Sequence, residues 1–250
     1  MKSKTKILVL VIIISIFFSS VAYAQSSISL LDNTITIGNN DNPENYVFSL
    51  QLLLLLTILT LAPSILIMMT GFTRIVIVLS FVRNALGLQQ TPPNQVIIGL
   101  SLFLTFFFMQ PVIADINENA YKPYIEEKID QQTAIDNAVK PLKEFMLKQT
   151  YKDDMNLFLQ MAKIESVSST DELPMSTVIP AFITSELKRA FQIGFFIFVP
   201  FLVIDMIVSS TLMSMGMMML PPMMIALPFK ILLFIMVDGW GLTIKTLFES

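Results

Sequence analysis

The sequence predicts an all-α integral membrane protein with about four hydrophobic helical segments and a helical extracytoplasmic region. Three observations support this class. Of the 250 residues, 54% are hydrophobic and 14% are charged, whereas a soluble domain carries roughly 45–50% apolar and about 25% charged residues. Apolar runs of the length that a bilayer requires recur along the chain. The one long polar stretch repeats its apolar residues at helical spacing.

The first segment, residues 1–24, is predicted to be a cleavable signal peptide. An apolar run from Ile7 to Phe18 follows three early lysines, and Ala22-Tyr23-Ala24 forms a small-residue cleavage site. An uncleaved anchor is the alternative, but the apolar run is short for a membrane span. Residues 25–46 are polar and rich in asparagine, and form an extracytoplasmic lead in this interpretation.

Residues 47–114 are predicted to form a first membrane helical hairpin. Val47–Met69 is long enough to cross about 30 Å of hydrocarbon, and Pro63 is expected to kink it. Val96–Ala114 is the second span. The connection between them contains Arg74 and Arg83 and no acid, so the positive-inside rule places it in the cytoplasm.

Residues 115–190 form the only sizeable polar region of the sequence. They are predicted to be extracytoplasmic, because the second span leads from the cytoplasmic connection to the other side of the membrane. Thirteen acidic and nine basic residues lie between Asp115 and Arg189. Apolar residues recur there at helical spacing. They are Val139, Leu142 and Met146 on one face and Leu157, Met161 and Ile164 on another. We expect short amphipathic helices, punctuated by prolines such as Pro141 and Pro180 and packed on a partner or on sister copies.

Residues 191–250 are predicted to form a second membrane hairpin with a methionine-rich loop. Its spans are Phe191–Thr211 and Met223–Ile244. Seven of the twelve residues from Met213 to Met224 are methionine, and Gly216 and Pro221-Pro222 interrupt the helix there. Methionine is unbranched and polarizable, so it adapts to whatever it contacts. The loop is either an adaptable seal or the methionine-rich turn of an ordinary membrane hairpin.

Three charged residues lie within the predicted spans, namely Asp205, Lys230 and Asp238. Each costs roughly 2.5–3.5 kcal/mol near a bilayer centre, so partners or water should be nearby. Glu186 stands just before the third span and is a possible partner of Lys230, within a subunit or across an interface. One interpretation is that the charges pair and fix helix register; the other is a proton or ion relay through Asp205 and Asp238.

Composition and motifs argue against an enzyme. The chain has no Cys and no His, and its net charge of -3 indicates no nucleic-acid partner. It contains no phosphate-binding glycine loop, serine elbow or zinc motif. Asp205 and Asp238 could share a proton as an aspartyl dyad, but Asp238-Gly239-Trp240-Gly241 does not resemble the signatures of such proteases. We predict no enzyme activity, no cofactor and no metal site.

Two long blocks of sequence resemble one family. The first comprises Met68–Ser80, Arg83–Gly87 and Gln89–Gln95. The second comprises Ala181–Lys188, Ile193–Phe195, Pro200–Asp205, Met215–Pro222, Leu227–Lys230 and Val237–Trp240. These motifs resemble the FliP/SctR family of type III secretion export-gate subunits. The signal peptide and long lead fit the flagellar branch better than the injectisome branch.

The resemblance implies a channel-forming subunit of the flagellar export gate, which passes unfolded rod, hook and filament proteins across the bacterial inner membrane at the basal body. It implies a homo-oligomer with FliQ-like and FliR-like subunits in a helical pore complex, within an apparatus that includes FlhA-like and FlhB-like components. In such subunits the residues matching Met217, Met218 and Met219 form a gasket, and those matching Glu186 and Lys230 pair between neighbours. A proton-coupled membrane transporter component is the alternative function.

Overall fold

The computed structural model of this chain describes residues 29–30, 33–34, 43–88, 90–164, 172–217 and 219–249. The predicted signal peptide and Met218 lie outside these residues, as does most of the lead. The chain divides into two compact units, residues 1–57 and 58–250. In the first unit, β1 (Ser29–Leu30) pairs antiparallel with β2 (Asn33–Thr34), with Ser29 opposite Thr34. Helix α1 (Pro43–Met68) begins in the first unit, ends in the second, and contains Pro63 in its interior.

All other regular elements in the described residues are helical, in agreement with the predicted class. They are α2 (Phe72–Ala85), α3 (Asn94–Phe108), α4 (Gln110–Ile116), a π-helical turn (Asn117–Tyr121), α5 (Lys122–Ile125), α6 (Gln131–Gln149), α7 (Lys152–Met161), α8 (Met175–Ser214), α9 (Pro222–Met236) and α10 (Gly239–Glu249).

The expected set of four regular spans is only partly found. Among the described residues, α8 alone is a single helix long and apolar enough to cross a membrane. Two further candidates are bent pairs, in which α3 meets residues 110–125 at 55° and α9 meets α10 at 62°. In α1 the apolar stretch covers Leu50–Ile65.

Helix α8 is the central element of the second unit. Its 40 residues extend about 60 Å at 1.5 Å per residue, which is about twice the hydrocarbon thickness of a bilayer. The predicted third span, Phe191–Thr211, lies within α8, which begins at Met175 and runs through Pro180 and Pro200. Burial of residues such as Val178 and Phe182 against its neighbours offsets the roughly 3 kcal/mol that an interior proline costs a helix.

Helix α2 lies beside α8 and runs in the same direction, so the predicted connection between the first two spans is not a simple turn. Residues near the start of α2 contact α8 at Glu186, and residues near its end cluster with Phe201. Between these levels, the ring of Phe81 packs on Gly194. A Cβ atom at Gly194 would lie 2.5 Å from Cδ2 of Phe81, so this close approach depends on glycine.

A tight turn ends α2. Gly87 has a φ of +76°. Its N–H donates to the Asn84 carbonyl and the Leu88 N–H donates to the Arg83 carbonyl, which is the Schellman pattern at a helix C-terminus. The Arg83 Nη1 then donates to the Asn94 Oδ1 at 2.5 Å. With 14 and 15 residues, α2 and α3 are each about 21–22 Å long, shorter than the hydrocarbon layer.

The predicted amphipathic helices of the polar region are present as α6 and α7, and a partner or a sister copy stays the predicted cover of the apolar face of α7. In α6, Met146 is fully buried and clusters with Phe182 of α8, and Pro141 lies within the helix instead of ending it. In α7, Leu157 and Met161 are exposed, because α7 contacts α8 through Asp154 on a different face.

Candidate functional site

The methionine loop is a short, tightly formed turn at one end of α8. The Met217 N–H donates to the Leu212 carbonyl at 3.0 Å, and the Gly216 N–H donates to the Met213 carbonyl at 3.1 Å. Gly216 has a φ of +75°, which residues with a Cβ adopt only at a cost. As the sequence predicts, Gly216 and the two prolines interrupt the helix, since α9 begins at Pro222.

The methionine side chains that the structure describes in this loop are exposed. Met219 is 99% exposed and Met217 is 43% exposed, and a Cβ atom at Gly216 would meet nothing within 4 Å. Further exposed methionines flank the loop, namely Met213, Met215, Met223 and Met224. No charged residue occurs between Met206 and Phe229. The tip of the α8–α9 hairpin is therefore an uncharged surface rich in thioethers, and a large exposed apolar patch marks a site of contact.

Glu186 is completely buried in α8, and its carboxylate is shared between two arginines. Its Oε2 lies 3.0 Å from the Arg74 Nε, and its Oε1 lies 3.8 Å from the Arg189 Nη1. Arg74, at the start of α2, is also buried, and its guanidinium lies 5.2 Å from the centre of the Phe108 ring. Opposite charges and a cation–π contact thus hold α2, α3 and α8 together at this level.

A second polar cluster fixes α7 to the same part of α8. The Ser185 Oγ donates to the Asp154 Oδ2 at 2.7 Å, and Lys188 pairs with the other oxygen of this carboxylate. The Tyr151 N–H donates to the Ser185 Oγ at 3.0 Å. Burial alone would raise the pKa of the Asp154 carboxyl, but the hydrogen bonds from Lys188 and Ser185 lower this pKa below its ordinary value.

Lys230 and Asp205 form an ion pair between α9 and α8. The Lys230 Nζ lies 2.6 Å from the Asp205 Oδ2; Lys230 is buried and Asp205 is partly exposed. A Cβ atom at Gly87 would lie 4.0 Å from the same nitrogen, so the turn after α2 packs against the pair.

The structure does not bring Glu186 and Lys230 together within one chain. Glu186 and Asp205 are 19 positions apart in α8, which is about 28 Å along the helix, and Lys230 lies at the level of Asp205. Within the chain, Glu186 contacts Arg74 and Arg189 instead. A Glu186–Lys230 contact between neighbouring copies stays a prediction.

Asp238 lies at the bend between α9 and α10 and is exposed. It has a φ of +49°, and its Oδ1 accepts a hydrogen bond from the Gly241 N–H at 3.4 Å. A Cβ atom at Gly239 would collide with the Phe234 ring, and one at Gly241 would collide with the Asp238 carboxylate. The motif from Asp238 to Gly241 is thus a compact helix break.

Asp205 and Asp238 therefore have separate contacts, the first with Lys230 and the second with the Gly241 N–H. Within the part of the chain that the structure describes, no group of three or more His, Cys, Asp or Glu side chains is placed to hold a metal ion.

Our sequence reasoning missed the Asp205–Lys230 pair, although a signal for it was present. Asp205 precedes Met217 by twelve residues, and Lys230 follows Met218 by twelve. Two antiparallel helices that meet at this loop bring positions equally far from its centre to the same level. Our sequence reasoning also missed the Arg74–Glu186 pair, for which the sequence carries no comparable signal because the partners are 112 positions apart.

Comparison with known proteins agrees with the resemblance. Residues 55–247 match the family model described as the FliP family. The flagellar biosynthetic protein FliP of Bacillus subtilis (strain 168) is 56% identical over 220 residues, which cover 88% of this chain and 100% of that protein. The protein of the same name from Pectobacterium carotovorum subsp. carotovorum is 51% identical over 227 residues, which cover 91% of this chain and 88% of that protein. The FliP protein of Aquifex aeolicus (strain VF5) is 52% identical over 208 residues, which cover 82% of this chain and 87% of that protein. This chain therefore belongs to the FliP family, which has a role in flagellar export.

Proposed function

We propose that this chain is a channel-forming subunit of the flagellar type III protein export gate in the bacterial inner membrane. In this role it assembles with further copies of itself and with FliQ-like and FliR-like subunits. The complex passes unfolded rod, hook and filament proteins outward. The observation that carries the proposal is the exposed, uncharged methionine surface at the tip of the α8–α9 hairpin, within a chain of the FliP family.

The exposed apolar surface of the second unit supports assembly. Large aromatic side chains on α3 and α8 are exposed in the single chain, among them Phe103, Phe106, Phe195 and Phe196. Lipid can cover such surface on a helix that crosses the bilayer. However, α2 is too short to cross it, α3 could cross it only together with residues 110–125 across a bend of 55°, and α8 is about twice as long as the crossing requires. Neighbouring subunits are the alternative cover, and they allow helices that do not follow the ordinary spanning geometry.

The chemistry of the loop suits a seal around a passing chain. An empty export pore must hold back ions, and an uncharged apolar constriction does so because water is unstable inside it. The same constriction must admit chains with side chains of many sizes. Thioether side chains such as those of Met217 and Met219 carry no charge that would trap a substrate, and they repack easily. We propose that Met217, Met218 and Met219 are the residues that close the pore.

Replacing Met217, Met218 and Met219 together with alanine tests this proposal. The variant shortens three side chains at the tip, so the assembled gate should become permeable to ions and small solutes while export continues. Influx of a small ion into cells that carry the gate measures this permeability. Met161→Ala removes an exposed methionine from α7 and is the matched control, for which no leak is expected. Unchanged permeability in an assembled triple variant would overturn the proposal.

A further inference from the structure

The methionines of this chain are its only sulfur-containing residues, because the sequence has 17 Met and no Cys. Their surroundings differ sharply. The thioether of Met219 is open to solvent, whereas Met146 is 0% exposed and Met109 is 4% exposed. Susceptibility of methionine to oxidation follows exposure. Within the single chain, the loop methionines are therefore more accessible to an oxidant than these core methionines.

We propose that the exposed methionines of the loop, Met215, Met217 and Met219, are a site of reversible oxidation, and that their oxidation converts the closed seal into a leaky one. The inference rests on the proposed function of the loop as the closure of an export pore. The oxidants to which it applies are two-electron oxygen donors such as hypochlorous acid and the chloramines.

The chemistry of the step is simple and balanced. A thioether and hypochlorous acid give a sulfoxide, a chloride ion and a proton. The sulfur loses two electrons and gains the oxygen atom, and the chlorine is reduced to chloride. Methionine sulfoxide reductases reverse the change, one enzyme for each sulfoxide epimer. In the reverse step two thiols become a disulfide, and the oxygen leaves as water.

Oxidation changes the one property on which the seal depends. A sulfoxide is polar and accepts hydrogen bonds, so it stabilises water in a constriction that an unmodified thioether keeps dry. The backbone of the turn has no reason to change, because its hydrogen bonds run between main-chain atoms such as the Met217 N–H and the Leu212 carbonyl. The nearest charges in the sequence, Asp205 and Lys230, already pair with each other. The effect therefore resides in the side chains at the tip.

The first part of the test maps oxidation in the assembled gate, with the full chain reconstituted in liposomes. Samples treated with increasing hypochlorous acid are quenched, digested and analysed by mass spectrometry. Met215, Met217 and Met219 should be at least tenfold more oxidised at low dose than Met109 and Met146. Equal oxidation of the loop and the buried methionines would overturn the inference.

The second part measures ion flux through the same liposomes before and after oxidation. Three proteins are compared: the native chain, Met161→Leu, and a chain with Met215, Met217, Met218 and Met219 all replaced by leucine. Each is measured against its own unoxidised sample. Oxidation should raise flux severalfold in the first two and leave the third unchanged, and treatment with both sulfoxide reductases should reverse the rise. Met161→Leu controls for an exposed methionine outside the loop.

The outcomes separate this inference from the function on which it rests. If the alanine variant of the loop leaks but an oxidised native loop does not, the oxidation switch is overturned and the seal stands. If neither leaks, the seal itself is overturned. If oxidation raises flux equally in the leucine variant, the leak arises elsewhere in the gate and the assignment to the loop is wrong.

Discussion

Two ion pairs in the second unit, Arg74–Glu186 and Asp205–Lys230, join different helices and hold buried charges. Glu186 illustrates the point, because it is fully buried and depends on Arg74 of α2 and Arg189 of its own helix. An isolated buried charge is very unfavourable, whereas a paired one roughly balances its cost of desolvation. The pair therefore matters less for net stability than for the arrangement of α2 on α8 that it requires.

Replacing Glu186 with glutamine should destabilise the fold by roughly 3–5 kcal/mol, because the buried Arg74 guanidinium loses its carboxylate. The double variant Arg74→Met with Glu186→Leu removes both charges and should be closer to the native chain in stability. The midpoint of thermal unfolding in detergent measures both. If the double variant is as unstable as the single one, the fold requires the ion pair itself, and the instability of the single variant does not arise from an unpaired arginine.

At the scale of elements, α8 connects a polar helical region to a largely apolar one. Its first sixteen residues pack on α6 and α7 through residues such as Phe182 and Ser185, and its remaining length is largely apolar. The Asp154 cluster is the polar attachment of α7 to this helix. The pKa of Asp154 is lower in the folded chain than in the unfolded one. Its ionised form therefore stabilises the folded state above the unfolded value of about 3.9.

The contribution of Asp154 should be constant at neutral pH and disappear as the pH falls below about 4, through its lowered folded-state pKa. Hydrogen exchange at a series of pH values, corrected for intrinsic rates, should show α7 losing protection across this range. In Asp154→Asn, protection of α7 should be low throughout and show no such transition. Asp153→Asn, next to it on the exposed side, should behave like the native chain.

Two glycines within helices provide a matched test of how α2 packs on α8. A Cβ atom at Gly194 meets the Phe81 ring at 2.5 Å, whereas one at Gly99 meets nothing within 4 Å. Gly194→Ala should destabilise the chain by about 1–3 kcal/mol through overpacking. Gly99→Ala should stabilise it by roughly 0.5–1 kcal/mol, because alanine is the better helix former. The midpoint of thermal unfolding measures both effects. Equal changes in the two variants would contradict the close packing of Phe81 on Gly194.

For the whole molecule, the sequence predicted the type of secondary structure and its main break well, but it predicted the contacts between helices poorly. The helical class and the interruption at Gly216 follow from local chemistry, and both are confirmed in the described residues. The continuation of the third span back to Met175 as one helix was not predicted, because Pro180 and the polar residues before Phe191 interrupt the apolar run. Contacts with α6 and α7 make that stretch helical, and no local pattern shows them. For the same reason Arg74 was placed in a loop, although it opens a buried helix.

Assembly provides the test of the predicted pairing between Glu186 of one copy and Lys230 of the next. Glu186→Lys alone should weaken association of the copies, and adding Lys230→Glu should partly restore it. The size of the complex in detergent measures association. Because Glu186 also pairs with Arg74 in its own chain, the control is Glu186→Lys with Arg74→Glu. If the control restores assembly and the Lys230 combination does not, the pairing between copies is wrong.

The equal spacing of Asp205 and Lys230 from the centre of the methionine loop constrains how this hairpin can change. Adding or deleting one residue within α8 or α9, between the tip and the pair, would turn one of the two charged side chains by about 100° about its helix and carry the lysine away from its carboxylate. A buried ammonium would then face hydrocarbon alone. Substitutions at the tip leave this alignment untouched. Between the tip and the ion pair, the number of residues should accordingly be constrained more tightly than their identity.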